Sequence, residues 1–242
     1  MLPDGLERAF RKHNQSDELR EILDAYELLI SRAEEAQKAF PGEDYGEPHR
    51  IRANSLVYRQ VLLHRSICLL EGAVRAAVDE NLYSMALNVR GHFETTASLG
   101  YLHRRLQSLK RGDISPETLD RELCVQLLAV RHESVPQAPD PKNILSLFEH
   151  ADKSVGISLL SGARKKYYIL KDSYEYLCEF CHPNFHSNSV AIELDKSVPE
   201  FKFRHGKPMR DQEFELIGYL LLSAPIFVAL FDQIPDLLPS EE

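Results

Sequence analysis

Apolar residues recur three and four positions apart along most of this chain, the spacing that gathers them on one face of a helix. Ser16 stands before Asp17 and Glu18 as an N-cap with acids in the first turn. Leu19, Ile22, Leu23, Tyr26, Leu29 and Ile30 follow as a stripe that predicts a helix running to about Phe40, where "PGEDYGEP" ends it. A second helix is expected from about His49 to Asn81 through Leu56, Leu63, Ile67, Leu70 and Val74. A third is expected from about Leu82 to Lys110 through Ala86, Val89, Phe93, Ala97, Tyr101 and Leu102, with Gly112 as its stop. Ser115 and then Pro116, a proline at the first helical position, open a shorter helix to about Val130. Beyond the proline-rich "ESVPQAPDP", helices are expected from about Lys142 to Lys153 and, after Gly156, from about Ser161 to His182. The last runs from about Arg210 to Phe231, and the tail "PDLLPSEE" reads as frayed.

The period shortens towards two in one place only, "VAIEL" from Val190 to Leu194 followed by "FKFRHGK" from Phe201, which predicts a short antiparallel hairpin. The expected fold is therefore mainly α: an antiparallel helical bundle with a small β-hairpin before the last helix. Residues 1–242 read as a single α-helical domain, with a possible substructure boundary at 132–141. No internal repeat or low-complexity tract interrupts the pattern.

Composition adds limits. With 242 residues, 43% of them hydrophobic, the chain can bury a substantial core. Its net charge of -8 argues against general DNA binding. Basic clusters at Arg104 and Arg105, at Lys110 and Arg111, and at Arg164, Lys165 and Lys166 allow a local groove, but each also reads as a solvated helix face. The apolar run "IGYLLLSAPIFVALF", Ile217 to Phe231, is shorter than the roughly 18 to 20 residues of a membrane span and contains Pro225, so a buried helix is expected and no membrane association. Charges begin at the fourth residue and no apolar run opens the chain, which points to a cytoplasmic location with Cys68, Cys124, Cys178 and Cys181 as free thiols.

The densest candidate chemistry is "CEFCHPNFH", residues 178–186. Cys178, Cys181 and His182 spell a haem attachment motif, a chemistry of exported proteins. Cys178, Cys181, His182 and His186 are zinc-type donors, although all come from one short segment rather than from two converging turns. A third reading explains more. Leu170, Tyr174, Leu177, Cys178 and Cys181 share one helical face, so both thiols point into the core, and Pro183 stops the helix at His182. No cofactor is expected.

"LNVRGHFETTASLGYL", Leu87 to Leu102, and "YEYLCEFCHPN", Tyr174 to Asn184, together resemble paired segments of uncharacterised bacterial helical proteins. In those proteins an Arg and a Glu four residues apart sit on a core helix ending in Tyr-Leu, and a later helix ends in Tyr, a few residues and His-Pro. They are placed near the HEPN superfamily of helical bundles, many members of which are metal-independent ribonucleases of toxin or antiviral defence systems. The resemblance covers about 27 of the 242 residues. It nominates Arg90, Glu94 and His182, with Tyr176 as a lesser candidate. In that role His182 would be the base for a ribose 2'-hydroxyl and Arg90 the cation for the phosphorane charge. The pattern of active members, Arg followed four to six positions later by His, is met only by Arg8 with His13 and Arg59 with His64, about as often as chance supplies. Arg90 and Glu94, one turn apart, can equally satisfy each other in a buried network, where removing either would cost roughly 3 to 5 kcal/mol.

The expectation is a non-catalytic or weakly catalytic binding module of a bacterial stress or defence system, itself a homo-oligomer (dimer), with an RNA, nucleotide or protein partner. A metal-independent endoribonuclease using His182 and Arg90, and a structural homodimer, stand as the alternatives. No phosphate-cradling glycine loop, Gly-x-Ser-x-Gly elbow or His-Glu-x-x-His is present.

Overall fold

The computed structural model describes residues 2–33, 47–130, 138–158, 168–195, 197 and 200–240. It is a mainly helical assembly with a two-stranded antiparallel hairpin before the last helix. Its frame is an antiparallel pair, α3 (Glu47–Val78) and α4 (Leu82–Lys110), after the shorter α1 (Leu6–Lys12) and α2 (Ser16–Ala33). In the turn between α3 and α4, Glu80 takes φ +55°, and the Asn81 side chain caps α4 by accepting from the Ser84 N–H at 3.1 Å. α4 is the hub, packed by α3, α6 (Ile144–Ser158), α7 (Ile169–Cys181) and α10 (Leu220–Gln233). It is accordingly apolar around most of its circumference rather than along one stripe. The helices come close at Gly100, where a Cβ would lie 2.6 Å from that of Ala151 on α6.

α4 starts where its periodicity predicts, and α5 (Pro116–Leu128) where the Ser115 cap and Pro116 predict. α1 escapes the periodicity because two turns are too short to establish it; it holds through the burial of Leu6, Ala9 and Phe10, with Phe10 edge-on to Phe214 at 5.1 Å. α6 continues past the expected stop at Lys153 and through Gly156. A helical glycine costs only about 1 kcal/mol against alanine, which packing on α4 outweighs. The expected extension of α2 to Phe40, the segment 159–167 before α7, and residues 132–137 of the expected boundary lie outside the described residues.

A residue of α6 fixes the start of α7. The buried Asp152 carboxylate accepts from the backbone N–H of Leu170 at 2.9 Å and of Lys171 at 3.2 Å. Burial nevertheless pushes its pKa up to about 6. Beyond α7 a short α8 (Phe185–Ser189), capped by Asn184, leads into β1 (Ile192–Asp195), which pairs with β2 (Glu200–Phe203) with Ile192 opposite Phe203.

The expected last helix is a continuous helical stretch from Asp211 to Gln233: α9 (Asp211–Phe214), a 3-10 segment (Glu215–Tyr219) and α10. By length and composition this stretch is long enough to cross a membrane, longer than the apolar run alone suggests, and 56% of its most apolar window is buried inside the protein.

Buried histidines tie the elements together. His92 on α4 is fully buried between Ser66 of α3, at 2.7 Å, and Ser223 of α10, at 2.9 Å. His103 lies between Ser154 and Gln233, and His13 is stacked on Phe214 and joined to Asp211 at 2.8 Å. Burial drives the His92 pKa down to about 4 and lowers that of His103, so both rings are neutral near pH 7.

Candidate functional site

Arg90 and Glu94 occupy successive turns on the side of α4 that meets α7, a consequence of the four-residue spacing. The Arg90 Nη2 lies 2.9 Å from the Glu94 carboxylate and donates at 3.0 Å to the hydroxyl oxygen of Tyr174 on α7. The guanidinium carbon stands 5.2 Å from the centre of the Tyr174 ring, and Nε is buried without a hydrogen-bond partner. Both side chains keep partial access to solvent, 22% for Arg90 and 27% for Glu94. Burial acts against the Arg90 charge, but the Tyr174 hydrogen bond and the Glu94 carboxylate more than offset it, and the pKa rises. The cation is permanent. Tyr174 is pushed to about 12, first by burial, and burial likewise raises the Cys181 thiol, which also feels the Arg90 charge.

His182 is not part of this network. It closes α7 in an extended conformation, its N–H donating to the Cys178 carbonyl at 3.1 Å, and its side chain is exposed. The helix end read from Pro183 is present. Among the described residues no hydrogen bond or ion pair joins the His182 ring to Arg90 or Glu94. Tyr176 faces away from Arg90, stacked on Tyr219 at 5.8 Å and edge-on to Phe180 at 5.4 Å. Cys178 and Cys181 are half-buried against the core while His186 is exposed beside Phe180 and Phe185. Among the described residues no group of three or more His, Cys, Asp or Glu side chains is arranged to hold a metal ion. The structure thus brings together Arg90, Glu94 and Tyr174, and leaves His182 and Tyr176 apart.

A second feature lies at the hairpin. Arg204, at the end of β2, turns towards the body of the protein, where Nη1 meets Glu213 at 2.8 Å and donates to the Val190 carbonyl, and Nη2 donates to that of Pro208. The pair is nearly sealed, with 10% of the Arg204 side chain and 7% of the Glu213 side chain exposed. Glu213 also accepts from the Arg210 N–H at 2.7 Å, which fixes the start of α9. With this polar side turned inward, strand alternation sends Phe201 and Phe203 the other way, and they stand 68% and 77% exposed. Phe185, at the start of α8, is 80% exposed. Beside Phe203 opens a cleft of about 800 Å³ with Leu82, Tyr83, Val190 and Met209 on its walls. Its border is held by Glu80, which pairs with Lys12 and accepts from the Met209 N–H at 2.7 Å. Tyr83 donates to the Ser187 carbonyl at 2.8 Å, joining the cleft to α8.

None of Phe201, Phe203 and Tyr83 stands out in the sequence as a functional candidate; the only signal is the alternation itself, which defines an apolar face without saying what it meets. Comparisons with protein-family models, with curated proteins and with solved structures find no match to this chain.

Proposed function

We propose that this chain is a helical binding module of a bacterial stress or defence system, HEPN-like in build and non-catalytic, which holds a partner protein at its hairpin end. The observation that carries this reading is the outward apolar face of the hairpin, with Phe201 and Phe203 more than two-thirds exposed beside an open cleft. Large aromatic side chains gathered in one solvent-facing patch mark an interaction surface. The Arg90 network supports the same reading from the other side. Its Nη2 is committed to Glu94 and Tyr174, and the histidine that would serve as base points to solvent.

The ribonuclease reading has one observation in its favour. Arg90 is bonded to Tyr174 on α7, the helix that His182 closes, so a rearrangement at the end of α7 would bring an imidazole towards a permanent cation.

Cleavage of a mixed RNA pool in excess EDTA separates the two. For the binding module, the wild type and the His182→Ala and Arg90→Ala variants leave the RNA equally intact. EDTA-resistant cleavage lost only in the variants, with melting curves confirming that they are folded, would replace the binding reading by the nuclease. The binding arm is the quantitative recovery of partner protein from cells by the wild type and by a Phe201→Ser, Phe203→Ser double variant. The variant is expected to lose it.

A further inference from the structure

We infer that the protein covering the hairpin face is a second copy of this chain, in a two-fold dimer in which Phe201 of each copy seats over the cleft beside Phe203 of the other. This inference rests on the binding-module reading and names its partner.

Knob and hole occur on one element. Phe201 and Phe203 project from the same side of β2, and Phe203 is itself a wall of the cleft, with Tyr83 and Val190 on the other sides and the buried Leu82 and Met209 beneath. A two-fold rotation about an axis near Phe203 therefore offers each copy's projecting ring to the other's cleft. That reciprocity is the condition for a closed, isologous contact. A cleft of about 800 Å³ has ample room for a phenyl ring.

Area agrees with this. Exposed at 68% and 77%, the Phe201 and Phe203 rings present roughly 300 Å² of apolar surface. A two-fold contact uses that surface twice, so the rings alone bring about 600 Å² towards the roughly 1,200 to 2,000 Å² of a standard stable interface. The cleft walls and neighbouring backbone must supply the remainder.

Charge does not oppose the contact. Two copies of net charge -8 repel at long range. Yet the acids bordering the face are paired within their own chain, Glu193 with Lys207 at 2.9 Å and Glu213 with Arg204 at 2.8 Å. What the two copies present to each other is the uncharged ring surface and a cleft whose lining also carries Asp79 and the internally paired Glu80, Arg204, Lys207 and Glu213.

The test is sedimentation equilibrium of the full chain across low to high micromolar concentration. The wild type is expected to pass from monomer to dimer. Phe201→Ser and Phe203→Ser should each weaken dimerisation at least tenfold, while Leu128→Ser, an exposed apolar residue at the end of α5, should leave it unchanged. Hydrogen exchange on the wild type keeps the test independent of any variant: amide protection across Ile192–Asp195 and Glu200–Phe203 must rise with protein concentration. A wild type that stays monomeric throughout, or a dimer that the Phe201→Ser, Phe203→Ser pair does not weaken, overturns the inference. If the monomer still recovers a different protein from cells and the double variant does not, only the second copy is lost and the binding module stands. If wild type and double variant neither self-associate nor differ in recovery, both readings fail.

Discussion

Arg90 Nη2 and the Tyr174 hydroxyl oxygen lie 3.0 Å apart, so a cation of α4 is bonded to a phenol of α7 while the same nitrogen meets Glu94 at 2.9 Å. A sealed pair would lose roughly 3 to 5 kcal/mol on losing either member. The partial exposure of both side chains screens this one, and a smaller loss follows. Tyr174→Phe keeps the ring and removes the acceptor, and Glu94→Gln removes the counter-charge. Each is expected to lower unfolding free energy in urea by about 1 kcal/mol. A loss of several kcal/mol in either variant would show that the pair behaves as a buried one.

At Gly100 the helix has no room for a side chain. An added Cβ would stand 2.6 Å from the Ala151 Cβ and 2.8 Å from its Cα, and the second of these is backbone that cannot swing aside. Gly100→Ala gains about 1 kcal/mol of helix propensity. Separating α4 from α6 costs more, so a net loss of about 1 to 3 kcal/mol is expected from urea unfolding. Ala151→Gly in the same chain should restore part of it, because it removes the nearer of the two contacts.

The sealed pair Arg204–Glu213 belongs to the other regime. Replacing Arg204 with Gln leaves the Glu213 carboxylate largely out of water with only the half-exposed Arg210 guanidinium, at 3.5 Å, to balance it, and a loss of about 3 kcal/mol is expected. The double change Arg204→Met, Glu213→Leu should cost less than Arg204→Gln alone, since it leaves neither charge behind. Hydrogen exchange at β1 and β2 would report release of the hairpin in the single variant and its retention in the double one.

Two buried groups give stability opposite dependences on pH. Folding depresses the His92 pKa to about 4 from an unfolded value near 6.5, so its contribution is complete above about pH 6.5 and is lost as pH falls through 4, by about 3 kcal/mol in all. Folding raises the Asp152 pKa to about 6 from near 3.9, so its contribution is complete below about pH 4 and is lost as pH rises through 6. Between pH 4 and 6 the two slopes oppose each other. Asp152→Asn should therefore steepen the rise of stability with pH across that range, and His92→Gln should flatten or invert it. Urea melts at several pH values read both slopes, and a His92→Gln variant with the wild-type slope would contradict the assignment.

Much of this fold is written in local pattern. α4 ends where its periodicity and Gly112 place it, and Ser115 caps α5 by accepting from the Thr118 N–H at 3.3 Å, because caps and stops are decided by residues within a few positions of one another. The hairpin was legible for the same reason. What was not legible depends on contacts between distant segments. The Arg90–Glu94 pair follows from spacing, whereas the bond to Tyr174 spans 84 positions and has no local signature. Alternation on β2 separates Phe201 and Phe203 from Lys202, but only the inward turn of Arg204 onto Glu213 decides that the aromatic side faces out. His182 was readable as a helix end, and its separation from the arginine was not.

The Asp152 carboxylate has a further consequence for how this chain can change. Because one side chain on α6 grips the first two amides of α7, the register of α7, and with it the placing of Tyr174 against Arg90, is set across space rather than through the residues between the helices. A change at position 152 would thus be felt at Arg90 through the helix between them.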